Sequence, residues 1–355
     1  MKKEQFLEIL KYGIQAPSGD NIQPWRIFPA NDYNYFRLEI AVEDNFFDAG
    51  NLCSLISGGT FLRNIKIGAD KQDYEVGINL NPDEKSLEIA EVSFSPLKKQ
   101  KKDRELSESV FKRATLRTAY STERLPDSFY KGTDLINKTD KEVHIYLTEN
   151  RETFNYIAYQ TELVRFGTRG AHETVVSSLR CNKKEIEKRD GLDYRTLGIP
   201  LFPKIGANIL KSWKLAKLFE KTRLNKIMAH ISTKNILKSS GGLGFLTIEN
   251  YSKENLIKAG EAWQDFWLNL SNYNGFMQPY AALPIFSKRI EFLGDGSGFS
   301  KPQIKKITEL KDFFHSAYGL KDSENLITLF RFGIAKPPKI KTLRKSPESF
   351  LESRV

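Results

Sequence analysis

The strongest constraint on this chain is a likeness between two of its own stretches. Residues at about 50–71 and 253–274 both space their apolar side chains as a long amphipathic helix does. At a constant offset of 201 residues, Leu55, Ile56 and Gly59 fall on the identical Leu256, Ile257 and Gly260. Leu62, Ile65 and Ile67 fall on Trp263, Phe266 and Leu268, so the apolar faces coincide as well. Strand patterns flank both helices. Phe36, Leu38, Ile40 and Val42 alternate before the first, and an apolar strand near 86–94 follows it. Val143, Ile145 and Leu147 alternate upstream of the second, and 325–333 (NLITLFRFG) reads as a buried strand beyond it. Strand, helix and strand recur in the same order, which predicts an α+β fold of two degenerate repeats in one chain.

The boundaries follow from composition. A helix over 3–15, with Phe6, Ile9, Leu10 and Ile14 on one face, opens the first half, and Pro17-Ser18-Gly19 breaks it. The polar run 96–105 (PLKKQKKDRE) is the natural linker, placing the first half at 1–100 and the second at 101–355. The second half carries an insertion at about 155–250, between its first strand and its long helix. The insertion contains RDGLDYRTLGIP at 189–200 and the helical-looking WKLAKLFEKTRLNKIM at 213–228. A segment of that length either covers a site as a lid or elaborates the fold.

Charge and composition narrow the class. With 40% hydrophobic and 28% charged residues among 355, this is ordinary globular composition. The net charge of +11 is carried in part by solvated runs such as Lys98-Lys99-Gln100-Lys101-Lys102. No nucleic-acid-binding pattern accompanies it, and no apolar run is long enough for a membrane span. Cys53 and Cys181 stand far apart without ligand spacing, so neither a disulfide scaffold nor a zinc site is expected. Glu4, Gln5, Glu8 and Lys11 interrupt the first helix, which excludes a signal-peptide reading and makes a cytoplasmic protein the simplest expectation.

Three local patterns bear on chemistry. Residues 16–26 read Ala-Pro-Ser-Gly-Asp-Asn-Ile-Gln-Pro-Trp-Arg; Ser18 and Asn21 can both donate and accept hydrogen bonds. Arg113, Thr115 and Arg117 offer two guanidinium groups and a hydroxyl within five residues, suited to a phosphate. The tail 329–350 (LFRFGIAKPPKIKTLRKSPESF) follows a strand with basic residues, among them Arg344 and Lys345.

The first pattern resembles the APSxxNxQPW motif of the FMN-dependent nitroreductase family at every fixed position. The second is similar to that family's phosphate-binding RRSxRxF element, with Thr for Ser and the aromatic displaced by one place. The third looks like its closing strand and basic tail. The resemblance implies a nitroreductase-like FMN-binding fold, with Pro17, Ser18, Gly19 and Asn21 along the flavin. It also implies Arg113, Thr115, Arg117, Arg344 and Lys345 at its phosphate, and Gln278, with Met277 and Pro279, near the reactive ring. Gln23 and Trp25 would brace the loop, and no side chain is expected to act as a catalytic acid or base.

In ordinary family members the arginine element precedes APSxxNxQPW, and the flavin lies between two identical subunits. Here the two are divided between the halves, so only one complete site can be assembled. The chain therefore resembles the larger duplicated members in which one chain forms a pseudo-dimer and a monomer suffices. The implied activity passes electrons from NAD(P)H through FMN to nitroaromatic or quinone-like acceptors. The alternative is a protein that binds or sequesters FMN with little turnover because the insertion covers the ring. A third class, a binder of nucleic acid or anionic surfaces, rests on charge alone.

Overall fold

The computed structural model describes residues 1–41, 45–98, 102–198, 212–214, 217 and 223–352. Parts of the expected insertion, including Ile199, Pro200 and most of 213–223, lie outside them, as do Val42 and Lys99-Gln100-Lys101 of the basic run.

The first half begins with α1 (Lys3–Gly13), which buries Phe6, Ile9 and Leu10 as its spacing predicts. Strands β1 (Trp25–Pro29) and β2 (Tyr35–Ile40) follow, then the long helix α2 (Leu52–Lys71), then β3 (Tyr74–Leu80) and β4 (Glu88–Pro96). The four strands form an antiparallel sheet in the order β1-β2-β4-β3. A short helix α3 (Ser107–Lys112) and the helix α4 (Asp127–Thr139) lead to β5 (Val143–Thr148). Next come α5 (Arg151–Phe166), which begins ahead of the expected insertion, and α6 (Arg169–Ser178), then a two-residue ribbon pairing Leu179–Arg180 with Leu192–Asp193. After it come β6 (Gly242–Ile248), the long helix α7 (Lys253–Asn272) and β7 (Gly275–Tyr280). Helices α8 (Ala282–Leu293) and α9 (Lys301–Tyr318) precede the last strand, β8 (Asn325–Ile334).

The second sheet is also antiparallel, in the order β5-β6-β8-β7. Both sheets thus use one plan: two strands, a 20-residue helix, then two strands of which the later pairs centrally. The long helices cross in the middle. Gly59 lies where a Cβ would stand 1.9 Å from the Ile257 carbonyl oxygen, and Gly260 lies 2.1 Å from that of Ile56 on the same construction. Glycine at both positions is therefore what lets the two backbones touch. Asn64 Oδ1 accepts from Gln264 Nε2 at 2.7 Å in the same buried seam. Arg63–Asp265 at 2.6 Å and Lys66–Glu261 at 2.7 Å close its edges.

One apolar core runs through both sheets and both helices, joining Phe36, Phe61 and Ile65 to Trp263, Phe266 and Phe330. Buried area of this kind is what makes a helix pair stable where its intrinsic propensity alone would not. Among the elements that the sequence reading did not predict are β1 and β3, the two edge strands of the first sheet. β1 is five residues ending in a proline, and β3 buries none of its seven residues fully, so neither carries much periodic signal.

Candidate functional site

The turn after α1 gathers three left-handed residues within four positions. Asp20, Gln23 and Asn21 have φ of 45°, 56° and 58°, three left-handed residues without a glycine among them. Such conformations persist only where surrounding bonds over-determine them. Here the Ser18 hydroxyl accepts from the Gln23 backbone N–H at 3.1 Å, and the Thr60 hydroxyl of α2 donates to the Pro17 carbonyl at 3.3 Å. Asn21 Nδ2 donates to the Leu343 carbonyl at 3.1 Å, while Asn21 Oδ1 accepts from Arg344 Nη1 at 2.7 Å. Gln23 Oε1 accepts from the Lys345 backbone N–H at 3.0 Å. The turn and the C-terminal tail, more than three hundred residues apart in sequence, are thereby one structure. Gly19 sits at the outside of the turn, facing Cys53 at the start of α2.

Two guanidinium groups meet at this place. Arg113, only 8% exposed, caps α3 and donates from Nη2 to the Gln15 carbonyl at 2.7 Å. Arg344 donates from Nη2 to the next carbonyl, that of Ala16, at 3.3 Å. Arg113 also lies over the Trp267 ring of α7 at 4.7 Å, a cation–π contact. Burial and the nearby charge of Arg344 push Arg113 down to about 9, and burial pushes Arg344 down to about 10. Among the described residues no carboxylate pairs with either, and the Nε of each is buried without a hydrogen-bond partner. Lys341 joins them from the tail, donating to the Phe111 and Lys112 carbonyls at 2.7 and 3.2 Å; burial and Arg113 depress its ammonium. A cluster of cations without counter-charge is a costly arrangement in the absence of an anion.

The remaining predicted residues fall into neighbouring groups. Thr115 forms a bridge with Met277 of β7, and the Leu116 N–H donates to the Met277 carbonyl at 3.3 Å. Gln278, one residue on, accepts at Oε1 from Arg331 Nε at 2.9 Å. Arg117 does not join Arg113: its Nη1 donates to the Thr196 carbonyl at 3.3 Å, and its charge faces Asp20. Asp20 is held above the usual carboxylate range by burial, against the lowering pull of Arg117 and Arg165. Lys345 turns its ammonium to Asp190 at 3.5 Å and so stands apart from the two arginines. Trp25 packs on Phe61 and Phe350 and braces the turn from within.

Three residues here have no counterpart in the sequence reading. Lys341 was hidden in a basic tail where any lysine looks solvated. Arg331 is fully buried in β8, with Nη2 on the Leu116 and Thr118 carbonyls at 3.4 and 2.8 Å and its guanidinium 4.0 Å from the Tyr120 ring. A charged residue inside an otherwise apolar strand was the available signal for it. Asp20 occupied a variable place in the motif and carried none.

The insertion reaches this turn. Gln23 Nε2 donates to the Arg189 carbonyl at 2.8 Å, Asn21 Nδ2 donates to the Gly191 carbonyl at 3.2 Å, and the Gly191 N–H returns a bond to the Asn21 carbonyl at 3.3 Å. Among the described residues no group of three or more His, Cys, Asp and Glu could hold a metal ion, and no helix is long and apolar enough to cross a membrane.

No protein-family profile and no curated protein matches the sequence. Among solved structures, the chain is similar to a nitroreductase with bound FMN from Bacteroides fragilis at 8% identity. That alignment covers 68% of this chain and 94% of the other, with a TM-score of 0.36. It is similar to a BluB-like flavoprotein from Clostridium difficile 630 at 12% identity, covering 69% and 96%, with a TM-score of 0.37. It is also similar to the FMN-dependent nitroreductase NfnB of Mycobacterium smegmatis in complex with NADPH at 12% identity, covering 66% and 94%, with a TM-score of 0.33. Superpositions this loose leave the reading of the site to the residues themselves.

Proposed function

We propose that this chain is an FMN-dependent oxidoreductase that takes electrons from NAD(P)H and passes them to nitroaromatic or quinone-like acceptors. The single observation carrying the reading is the pair Arg113 and Arg344, one guanidinium buried and one half-buried, without a carboxylate among the described residues, fixed on the adjacent carbonyls of Gln15 and Ala16 at the foot of the APSGDNIQPW turn. A phosphate monoester offers the charge and the acceptors that the two bare Nε groups lack. The donor set therefore fits the phosphate end of FMN.

On this reading Arg113 and Arg344 hold the phosphate, with Lys341 adding charge. Pro17, Ser18, Gly19 and Asn21 form the wall on one side, and Thr115 with Gln278 forms the wall supplied by β7. Arg117 holds the insertion rather than the phosphate, and Lys345 does so through Asp190. When bound, FMN supplies two-electron redox chemistry that no side chain of the site has. The protein's work is to bind, to orient and to exclude water, and Arg331 fixes Gln278 and the 116–118 carbonyls in one geometry for that purpose. One turn and one arginine pair make one site per chain, with the halves 1–100 and 101–355 each giving part of it, so a monomer suffices.

A second reading is favoured by the contacts of 189–191 with Asn21 and Gln23: the insertion covers the flavin, and the protein sequesters FMN with little turnover. Purification decides first, because a yellow protein with one acid-releasable FMN per chain is expected. A colourless protein that takes up no added FMN refutes both readings. Rapid reduction by NADH or NADPH supports the oxidoreductase; slow reduction by nucleotide with prompt reduction by dithionite supports sequestration.

A further inference from the structure

We propose that residues 189–193 are a latch that sets how fast FMN enters and leaves while contributing little to how tightly it is held; the inference rests on the FMN reading above. The segment touches both the APSGDNIQ turn and the C-terminal tail. On the turn it accepts from Gln23 Nε2 through the Arg189 carbonyl, and it exchanges two bonds with Asn21 through Gly191. On the tail, Arg189 Nη1 donates to the Arg344 carbonyl at 3.4 Å and Asp190 faces the Lys345 ammonium at 3.5 Å. Asp190 is itself held by Arg180, at 2.8 Å, from the other strand of the short ribbon.

None of these bonds uses the bare Nε of Arg113 or Arg344. They join protein to protein and can form with the phosphate site filled or empty. A contact made equally in both states cannot shift the equilibrium between them. It can only raise the barrier that separates them, because the ligand must wait for the strap to lift. The strap is also built to lift as a unit. Arg189 and Gly191 have φ of 60° and 67°, so 189–191 is a pair of left-handed bends, joined to the fold beyond it by the short ribbon at Leu192–Asp193. Apart from that ribbon, its attachments are a handful of separate hydrogen bonds and ion pairs, which are what opening must break.

Gly191 is the point at which the latch can be spoiled without touching the arginines. A Cβ there would stand 2.4 Å from the Ser178 carbonyl oxygen and 2.7 Å from Arg180 Cζ, on a backbone that side chains rarely adopt. Gly191→Ala should therefore unseat 189–193 from the place in which it bonds Asn21 and Gln23. Asp190→Asn weakens the same latch by removing the charge facing Arg180 and Lys345.

The test uses the full chain loaded with FMN. Association and dissociation rates are measured by stopped-flow flavin fluorescence for the parent, Gly191→Ala and Asp190→Asn. Amide exchange at 189–193 is followed by mass spectrometry in the same samples. Both rates should rise together, by about tenfold or more in Gly191→Ala and less in Asp190→Asn, with Kd moving far less than either rate. Exchange at 189–193 should quicken in the same order. Unchanged rates in both variants, despite faster exchange, overturn the latch and leave the FMN reading standing. A faster dissociation with unchanged association means that the segment binds the ligand directly, which also overturns it. If Gly191→Ala does not fold, Asp190→Asn decides alone by the same criteria. A parent chain that takes up no FMN removes the reading beneath the latch, and the latch with it.

Discussion

Gly59 of α2 rests against the backbone of Ile257, and Gly260 of α7 rests against the backbone of Ile56, so each glycine makes room for the other helix. An approach this close needs a residue without a Cβ at both positions.

The crossing gives the first prediction. Gly59→Ala or Gly260→Ala adds a methyl group where the space is occupied by a carbonyl. Alanine gains about 1 kcal/mol of helix propensity, but overpacking of a rigid seam costs about 1–3 kcal/mol. Because the opposing atoms are backbone, a cost at the upper end is expected, and each variant should unfold at lower urea than the parent. Gly296→Ala, at a position with nothing within 4 Å, should leave the midpoint in place. Equal midpoints for all four proteins would mean that the helices separate freely.

The arginines give the second. A hydrogen bond to a charged group is worth about 1.5–3 kcal/mol, so Arg113→Ala and Arg344→Ala should each weaken FMN roughly tenfold to a hundredfold. Riboflavin, which lacks the phosphate, should lose much less. Arg117→Ala, whose side chain holds Thr196 and faces Asp20, should treat FMN and riboflavin alike. Titration calorimetry with both ligands separates these outcomes. A phosphate-selective loss in Arg117→Ala would move the anion site to the other side of the turn.

The third prediction concerns pH. Both guanidiniums are depressed in the free protein, Arg113 to about 9 and Arg344 to about 10. A phosphate anion favours their charged forms, so above these values binding must take up a proton. The ratio of FMN to riboflavin affinity should be flat from pH 7 to about 8.5 and should fall as pH passes through 9 and 10. Ionisation of the flavin ring is common to both ligands and cancels in that ratio. A ratio that stays constant to pH 10.5 would show that both guanidiniums keep their protons throughout, and the alanine variants then decide whether they meet the phosphate.

Arg331 supplies the fourth. Replacing it with methionine keeps most of the volume but strands the Gln278 amide oxygen and the Thr118 carbonyl, and leaves the Leu116 carbonyl with the Tyr120 hydroxyl alone. Leaving such groups buried and unmet costs about 1–3 kcal/mol each, less whatever relaxation recovers, so a loss of roughly 2–3 kcal/mol is expected by urea unfolding. Arg331→Lys should recover part of it, since an ammonium can still reach some of the acceptors. A methionine variant as stable as the parent would mean that the 116–120 loop does not depend on β8.

Much of this architecture was legible in the chain, because periodic burial writes itself into residue spacing. The faces of α2 and α7 and the alternation in β2 and β5 are examples, and the glycine pair was visible as an identity before its contact was known. What could not be read was partnership. Asn21 looked available for a ligand by its chemistry, yet its amide is engaged by Gly191, Leu343 and Arg344. Arg113 and Arg117 looked like one element by spacing, but the backbone between them leaves α3 and crosses to β7, and they end in different company. Lys341 and Arg331 were chosen by geometry among many basic residues that composition could not tell apart.

The crossing has one last implication. Where two identical subunits meet, every substitution at the seam is struck twice, and each copy must tolerate its own mirror image. Here Gly59 and Gly260 are separate letters of one text, so a change can be written on one margin and left off the other. The seam can be varied from one side alone, while the left-handed turn after α1 and the arginines at 113 and 344 stay as they are.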